Sequence, residues 1–168
     1  MKLGQLKQDV FGFLGQVAEG WRHLVQSASG ALTRFRPSEH TQLPDKTEVD
    51  DASWLPSRGW AMLGGDLFED EHKLVVRLEI PGLDKTDLNV EIGADTLVVS
   101  GEKRFEQEGT KGRWRVMQCA YGSFRRVVPL PLSVKPDEAR ATYKNGVLRV
   151  ELPKAEPSQP KSVRIEVR

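Results

Sequence analysis

Over the first 36 residues, apolar side chains recur at every third or fourth position: Leu3, Leu6, Val10, Phe13, Val17, Trp21, Leu24, Ala28, Leu32 and Phe35. That spacing draws one stripe along a helix and predicts an amphipathic arm over residues 1–36. Gly4, Gly12, Gly15, Gly20 and Gly30 interrupt it, and each costs a helix about 1 kcal/mol relative to alanine. Such a helix is marginal unless its stripe packs on something. Three surfaces meet that need: the chain's own domain, a self-associating or client-binding contact, or a membrane surface.

Residues 37–65 hold neither helical nor strand periodicity. Pro44, Pro56, Gly59, Gly64, Gly65 and the acidic run Glu48 to Asp51 predict a solvated, flexible linker. Trp54, Leu55, Trp60 and Met62 stand out within it, either as docking points onto a surface or as unremarkable linker residues.

Beyond Asp66 the period becomes two. Leu74, Val76, Leu78 and Ile80 alternate up to a Pro81-Gly82 turn, and Leu88, Val90 and Ile92 alternate up to Gly93. The strand Thr96 to Gly101 carries Leu97-Val98-Val99, apolar on both faces, which predicts a central position. Strands follow at Phe124 to Leu130, through Ala139, Ala141 and Tyr143, and through Leu148, Val150 and Leu152. The last two are joined by Asn145-Gly146, a strong hairpin signal because both residues tolerate positive φ. Many short strands without intervening helices predict an all-β fold, an immunoglobulin-like antiparallel sandwich over residues 66–154.

Two features exceed a plain sandwich. Arg126 shares the parity of Phe124, Val128 and Leu130, so its guanidinium points to the apolar side and requires a carboxylate or carbonyl partner, which an interface could supply. The alternative is a surface arginine on an edge strand. The stretch Glu102 to Gly122 is long for a loop and carries Phe105, Trp114, Val116 and Met117; a strand within it could pair with a neighbouring chain. In the tail, residues 155–168, prolines precede the alternating Val163-Arg164-Ile165-Glu166-Val167. That run suits either addition to a sheet edge or service as the sandwich's own last strand.

Composition narrows the function. The net charge of +1 conceals segments of +3 (five bases and two acids, residues 1–36), −6 (two and eight, residues 37–70) and +4 (eighteen and fourteen, residues 71–168). No global field draws the chain to nucleic acid, and the run Lys111, Arg113, Trp114, Arg115 reads as a solvated loop. With five basic residues on the arm, a membrane surface is the less favoured partner. One cysteine, Cys119, excludes an intrachain disulfide, and three scattered histidines give no metal motif. No phosphate loop, nucleophile elbow or Cys-x-x-Cys pair is present, so the chain reads as neither an enzyme nor a cofactor or metal carrier. Without an apolar run of about 18 residues or a signal-peptide pattern, the expected compartment is the cytoplasm.

Four motifs in order resemble the small heat-shock protein family of the bacterial type, whose core is the α-crystallin domain. They are Ile80-Pro81-Gly82, the strand Phe124-Arg125-Arg126-Val127-Val128-Pro129-Leu130-Pro131, the run Ala141-Thr142-Tyr143-Lys144-Asn145-Gly146-Val147-Leu148, and the terminal Ile165-Glu166-Val167. The chain departs from that pattern at Gln118-Cys119, where the family has Glu-Arg, and at Val128, where it has an aromatic.

The resemblance implies an ATP-independent chaperone that holds partly unfolded clients, built as a homo-oligomer of dimers. It implies a dimer interface through the long loop, here at Trp114, Val116 and Arg126. It implies a tail anchor at Val163, Ile165 and Val167 docking between the strands of Leu88, Val90 and Ile92 and of Ala139, Ala141 and Tyr143. The client-binding arm would use Leu6, Val10, Phe13, Val17, Trp21, Leu24, Leu32 and Phe35. The competing readings are an adaptor or co-chaperone sandwich without holding activity and a member that stabilises membranes through the arm.

Overall fold

The computed structural model describes residues 30–56, 59–109 and 112–156. The arm positions Leu6 to Leu24 and the tail anchor Val163, Ile165 and Val167 lie outside them. Nine strands run in order among the described residues: β1 (Leu32–Arg36), β2 (Gly59–Met62), β3 (Gly65–Glu69), β4 (Lys73–Glu79), β5 (Leu88–Ile92), β6 (Thr96–Lys103), β7 (Gly122–Pro129), β8 (Arg140–Lys144) and β9 (Val147–Pro153). They form two sheets, β2-β1-β7-β6-β5 and β3-β4-β9-β8. The all-β antiparallel sandwich expected from the period-two patterning is the fold.

The alternating apolar positions explain the core. Leu74, Val76 and Leu78 of β4 lie opposite Leu152, Val150 and Leu148 of β9. These six side chains are buried in one cluster with Leu97 and Val99 of β6 and Phe124 of β7, so the inward faces of both sheets share a single apolar interior. Leu97, Val98 and Val99 are all buried, and β6 runs centrally between β5 and β7. At the β8–β9 hairpin Asn145 (φ 52°) and Gly146 (φ 77°) take the two positive-φ positions that a right-twisted two-residue turn demands. The Gly146 carbonyl accepts from the Ile80 N–H at 2.8 Å, and the Tyr143 hydroxyl donates to the Ile80 carbonyl at 2.8 Å. The two turns read from sequence, Pro81-Gly82 and Asn145-Gly146, are thereby tied together.

The end of β9 carries a buried charge. Lys154, 4 % exposed, pairs its ammonium with Glu69 Oε1 of β3 at 2.7 Å, and its backbone N–H donates to the His72 carbonyl. Burial of an ammonium is tolerable only with such a partner.

Two expectations are corrected. Leu32 and Phe35, read as the last turn of a helical stripe, belong to β1. Their three-residue step fits a helical period, but over residues 31–36 burial alternates: Ala31, Thr33 and Phe35 are buried while Leu32, Arg34 and Arg36 are exposed. Phe35 pairs with Phe124 in the β1–β7 ladder, ring centroids 5.1 Å apart, and is 1 % exposed. The second correction concerns the linker. Residues 37–65 contain 3-10 turns at Glu39–Thr41 and Lys46–Glu48, the strand β2 and the start of β3. Val49 and Trp54 are buried with Met117 in a second, smaller core. Of the four apolar residues singled out in this stretch, Trp54 is a docking point because the loop before β7 supplies Met117, whereas Leu55, Trp60 and Met62 are exposed.

Candidate interaction surfaces

The loop between β6 and β7 is clamped to the connector before β2. The Trp114 N–H donates to the Glu48 carbonyl at 3.0 Å and the Asp50 N–H donates to the Trp114 carbonyl at 2.8 Å, a short parallel bridge centred on Val49 and Trp114. Asp50 accepts from Arg113 Nη2 at 2.6 Å through Oδ1 and from Arg115 through Oδ2. Arg113 Nη2 also donates to the Thr47 carbonyl at 3.1 Å. Below this polar layer Phe105 stands between Trp114 and Tyr121, at centroid distances of 5.4 and 5.1 Å. These rings and Leu43 pack on the small core of Val49, Trp54 and Met117. Thus Trp114 is half-buried within its own chain, whereas Val116 is 59 % exposed. The sequence carried a trace of this arrangement in the opposite signs of the acidic run Glu48 to Asp51 and the basic residues around Trp114.

The clamp titrates with acid. Hydrogen bonding from Arg113 is the leading cause that holds the Asp50 carboxyl below the ordinary aspartate range. Asp51 is lowered first by the Ser53 hydroxyl and backbone N–H, with the Met117 N–H adding to them. A depressed carboxylate contributes stability that is present above its unfolded value and lost as the pH falls through the folded one. The Asp50 and Asp51 carboxyl resonances are therefore expected to titrate below the unfolded-peptide midpoint. Trp114 amide protection should be retained at pH 7 and be lost only as the pH falls below the ordinary aspartate range. Carboxyl-carbon NMR combined with amide exchange reads both; midpoints at the ordinary value would remove the two ion pairs as a solution feature.

Arg126 lies on β7 opposite Val99, at the same parity as buried Phe124 and half-buried Val128. Its Nε is buried and makes no hydrogen bond among the described residues, and burial lowers the pKa of its guanidinium. The guanidinium thus sits on the apolar side, with hydrogen-bonding capacity left over.

The sheet edges form the remaining surfaces. β3 is the outer strand of its sheet, and among the described residues no strand pairs with its free side. All five of its residues are exposed, including Leu67 and Phe68. An edge of this kind, apolar on both faces, invites another strand. The adjacent pair Leu67-Phe68 was the only sequence signal for it.

At the opposite ends of the two sheets stand β5 and β8. Leu88, Val90 and Ile92 of β5, with Ala139 and Tyr143 at β8, are half-buried against the main core, whereas Ala141 is exposed. Beside the connector a cleft of about 120 Å³ is lined by Trp54, Trp60, Tyr121 and the exposed thiol of Cys119, among others. Burial, more than the neighbouring Cys119, raises the Tyr121 pKa. Among the described residues no helix is long and apolar enough to cross a membrane.

Comparison with known proteins bears on these surfaces. The chain is 37 % identical over 139 residues to the 18.1 kDa class I heat shock protein of Oryza sativa subsp. japonica, covering 82 % of this chain and 83 % of that one. It is 37 % identical over 94 residues to the 17.8 kDa class I heat shock protein of Solanum lycopersicum, a match that spans 61 % of the tomato protein's length. Among solved structures, Heat shock protein 16.0 from Schizosaccharomyces pombe superposes with a TM-score of 0.55 at 34 % identity, covering 63 % of this chain and 97 % of that one. The hspA from Xanthomonas axonopodis gives 0.51 at 29 % identity, covering 57 % and 96 %. The Hsp20/alpha crystallin family profile matches residues 66–168, a span that begins in β3 and takes in the sandwich, the loop and the tail, and so the chain belongs to the Hsp20/alpha crystallin family, the small heat-shock proteins.

Proposed function

We propose that this chain is an ATP-independent holdase that binds partly unfolded proteins and suppresses their aggregation, working as a homo-oligomer built from dimers. The observation that carries the reading is the family membership over residues 66–168. Physical features support its parts.

The dimer forms when the loop around Trp114 and Val116 is donated to a second copy. Support comes from the exposure of Val116 and from edge strand β3, whose Leu67 and Phe68 offer apolar contacts on both faces. Arg126, with its buried unbonded Nε, finds a carboxylate or carbonyl at that interface. Dimers then join through the tail, with Ile165 and Val167, assisted by Val163, entering the groove edged by Leu88, Val90, Ile92, Ala139, Ala141 and Tyr143. The half-burial of five of these six groove residues supports that docking, since each retains apolar surface to cover. Clients are held by the arm through Leu6, Val10, Phe13, Val17, Trp21 and Leu24. Phe35, buried in β1, has no surface to offer, whereas Leu32 is exposed.

The protein is expected to suppress heat-induced aggregation of a model client at equimolar amounts or below, without ATP. Light scattering of the heated client reads the result. Unchanged turbidity would overturn the holdase and leave the adaptor sandwich.

A further inference from the structure

In the dimer reading the loop segment around Trp114 must reach a second copy, yet in this structure the backbone groups of Trp114 are already engaged. The Trp114 N–H and carbonyl both bond to the connector at Glu48 and Asp50. Its ring sits in the small core beside Phe105, and Arg113 and Arg115, on either side of it, are both drawn to Asp50. Met117, three residues on, is buried in the same core, and its N–H lies 3.4 Å from Asp51 Oδ2. A pairing with a second copy through the Trp114 N–H and carbonyl therefore cannot form while these contacts stand.

We propose that residues 47–51 act as an intramolecular substitute for the second copy. They hold the loop segment Arg113 to Met117 in a closed protomer, and dimerisation requires them to let go. The inference rests on the dimer reading above and adds a gate to it. Two features suit the connector to a releasable role. Its hold combines one short parallel bridge with ion pairs from arginines that are 56 % and 80 % exposed, contacts that are individually weak and screened by salt. Its apolar part is a small cluster separate from the main core, so opening it leaves the sandwich intact. Val116 faces solvent in the closed form and so takes no part in the hold.

That division of labour separates two substitutions. D50N removes the charge that gathers both arginines without touching the proposed interface, whereas V116D places a charge in the interface without touching the hold. In the full-length protein, D50N is expected to tighten the monomer–dimer equilibrium by about tenfold, and V116D to weaken it by more than about tenfold, as read by sedimentation velocity over a concentration series. Amide exchange supplies a second readout. The Asp50 N–H, which donates to Trp114 in the closed form, should exchange faster in the dimer than in the monomer. If V116D leaves the dimer unaffected, the loop-donation reading itself fails. If V116D weakens the dimer while D50N leaves it unchanged or weakens it too, or if Asp50 is equally protected in both states, the connector does not gate assembly and this inference fails alone.

Discussion

Replacing Ile165 and Val167 together by alanine is expected to reduce the assembly to dimers. Burying one branched apolar side chain contributes about 1.5 to 3 kcal/mol, so two anchors give a contact that releases and re-forms on its own. Held by several such tails at once, the assembly persists through effective concentration rather than through any one strong joint. Truncating both anchors weakens every joint together, and the loss in size should be close to complete rather than proportional. Native mass spectrometry distinguishes the outcomes. Retention of the wild-type size would mean that the tail is an internal strand. A charge in the groove, Val90→Asp, should act in the same direction, because Val90 is half-buried on the last strand of its sheet.

Phe35→Ala is expected to cost about 3 to 5 kcal/mol of folding stability, measured by urea denaturation of the whole chain. The ring is 1 % exposed, stacks at 5.1 Å on Phe124 and belongs to the main cluster, so its removal leaves a cavity at the junction of β1 and β7. The same experiment decides between strand and arm. A side chain on an exposed helical stripe would be lost for less than about 1 kcal/mol.

The sandwich was legible where each residue's burial followed from its own strand. β4, β6 and β9 alternate or run apolar because they are interior strands, and Asn145-Gly146 specifies its turn through backbone conformation alone. β1 was not legible, because the step from Leu32 to Phe35 continues the helical stripe before it. β2 inverts the usual polarity: Gly59 and Ala61 face inward while Trp60 is 52 % exposed and Met62 is exposed as well. The inversion has a steric cause. A Cβ on Gly59 would lie 3.1 Å from that of Ala120 and 3.3 Å from that of Phe35, so a larger residue would require these neighbours to give way. β3 was hidden for a different reason, since a strand exposed along its whole length has no buried face to announce it.

The proposed surfaces divide along the same line. The half-buried positions of β5 and β8 follow from alternation and were named from the sequence, with Ala141 alone proving exposed. The hold of the connector on Trp114 was not, because it joins segments some 65 residues apart, and neither segment carries a pattern of its own. Asp50 in particular reads as one acid in a solvated run until Arg113 and Arg115 are placed beside it.

The pairing of β1 with β7 also sets an order of events at the ribosome. Phe35 and Phe124 are roughly 90 residues apart in the chain, and at 5–20 residues per second β1 emerges about 5 to 20 seconds before the strand that covers it. Over that interval Phe35 lacks the strand that covers it in the finished fold. During its own synthesis the protein therefore presents the kind of surface it is proposed to hold in others, and neighbouring copies on one message are the first to encounter it.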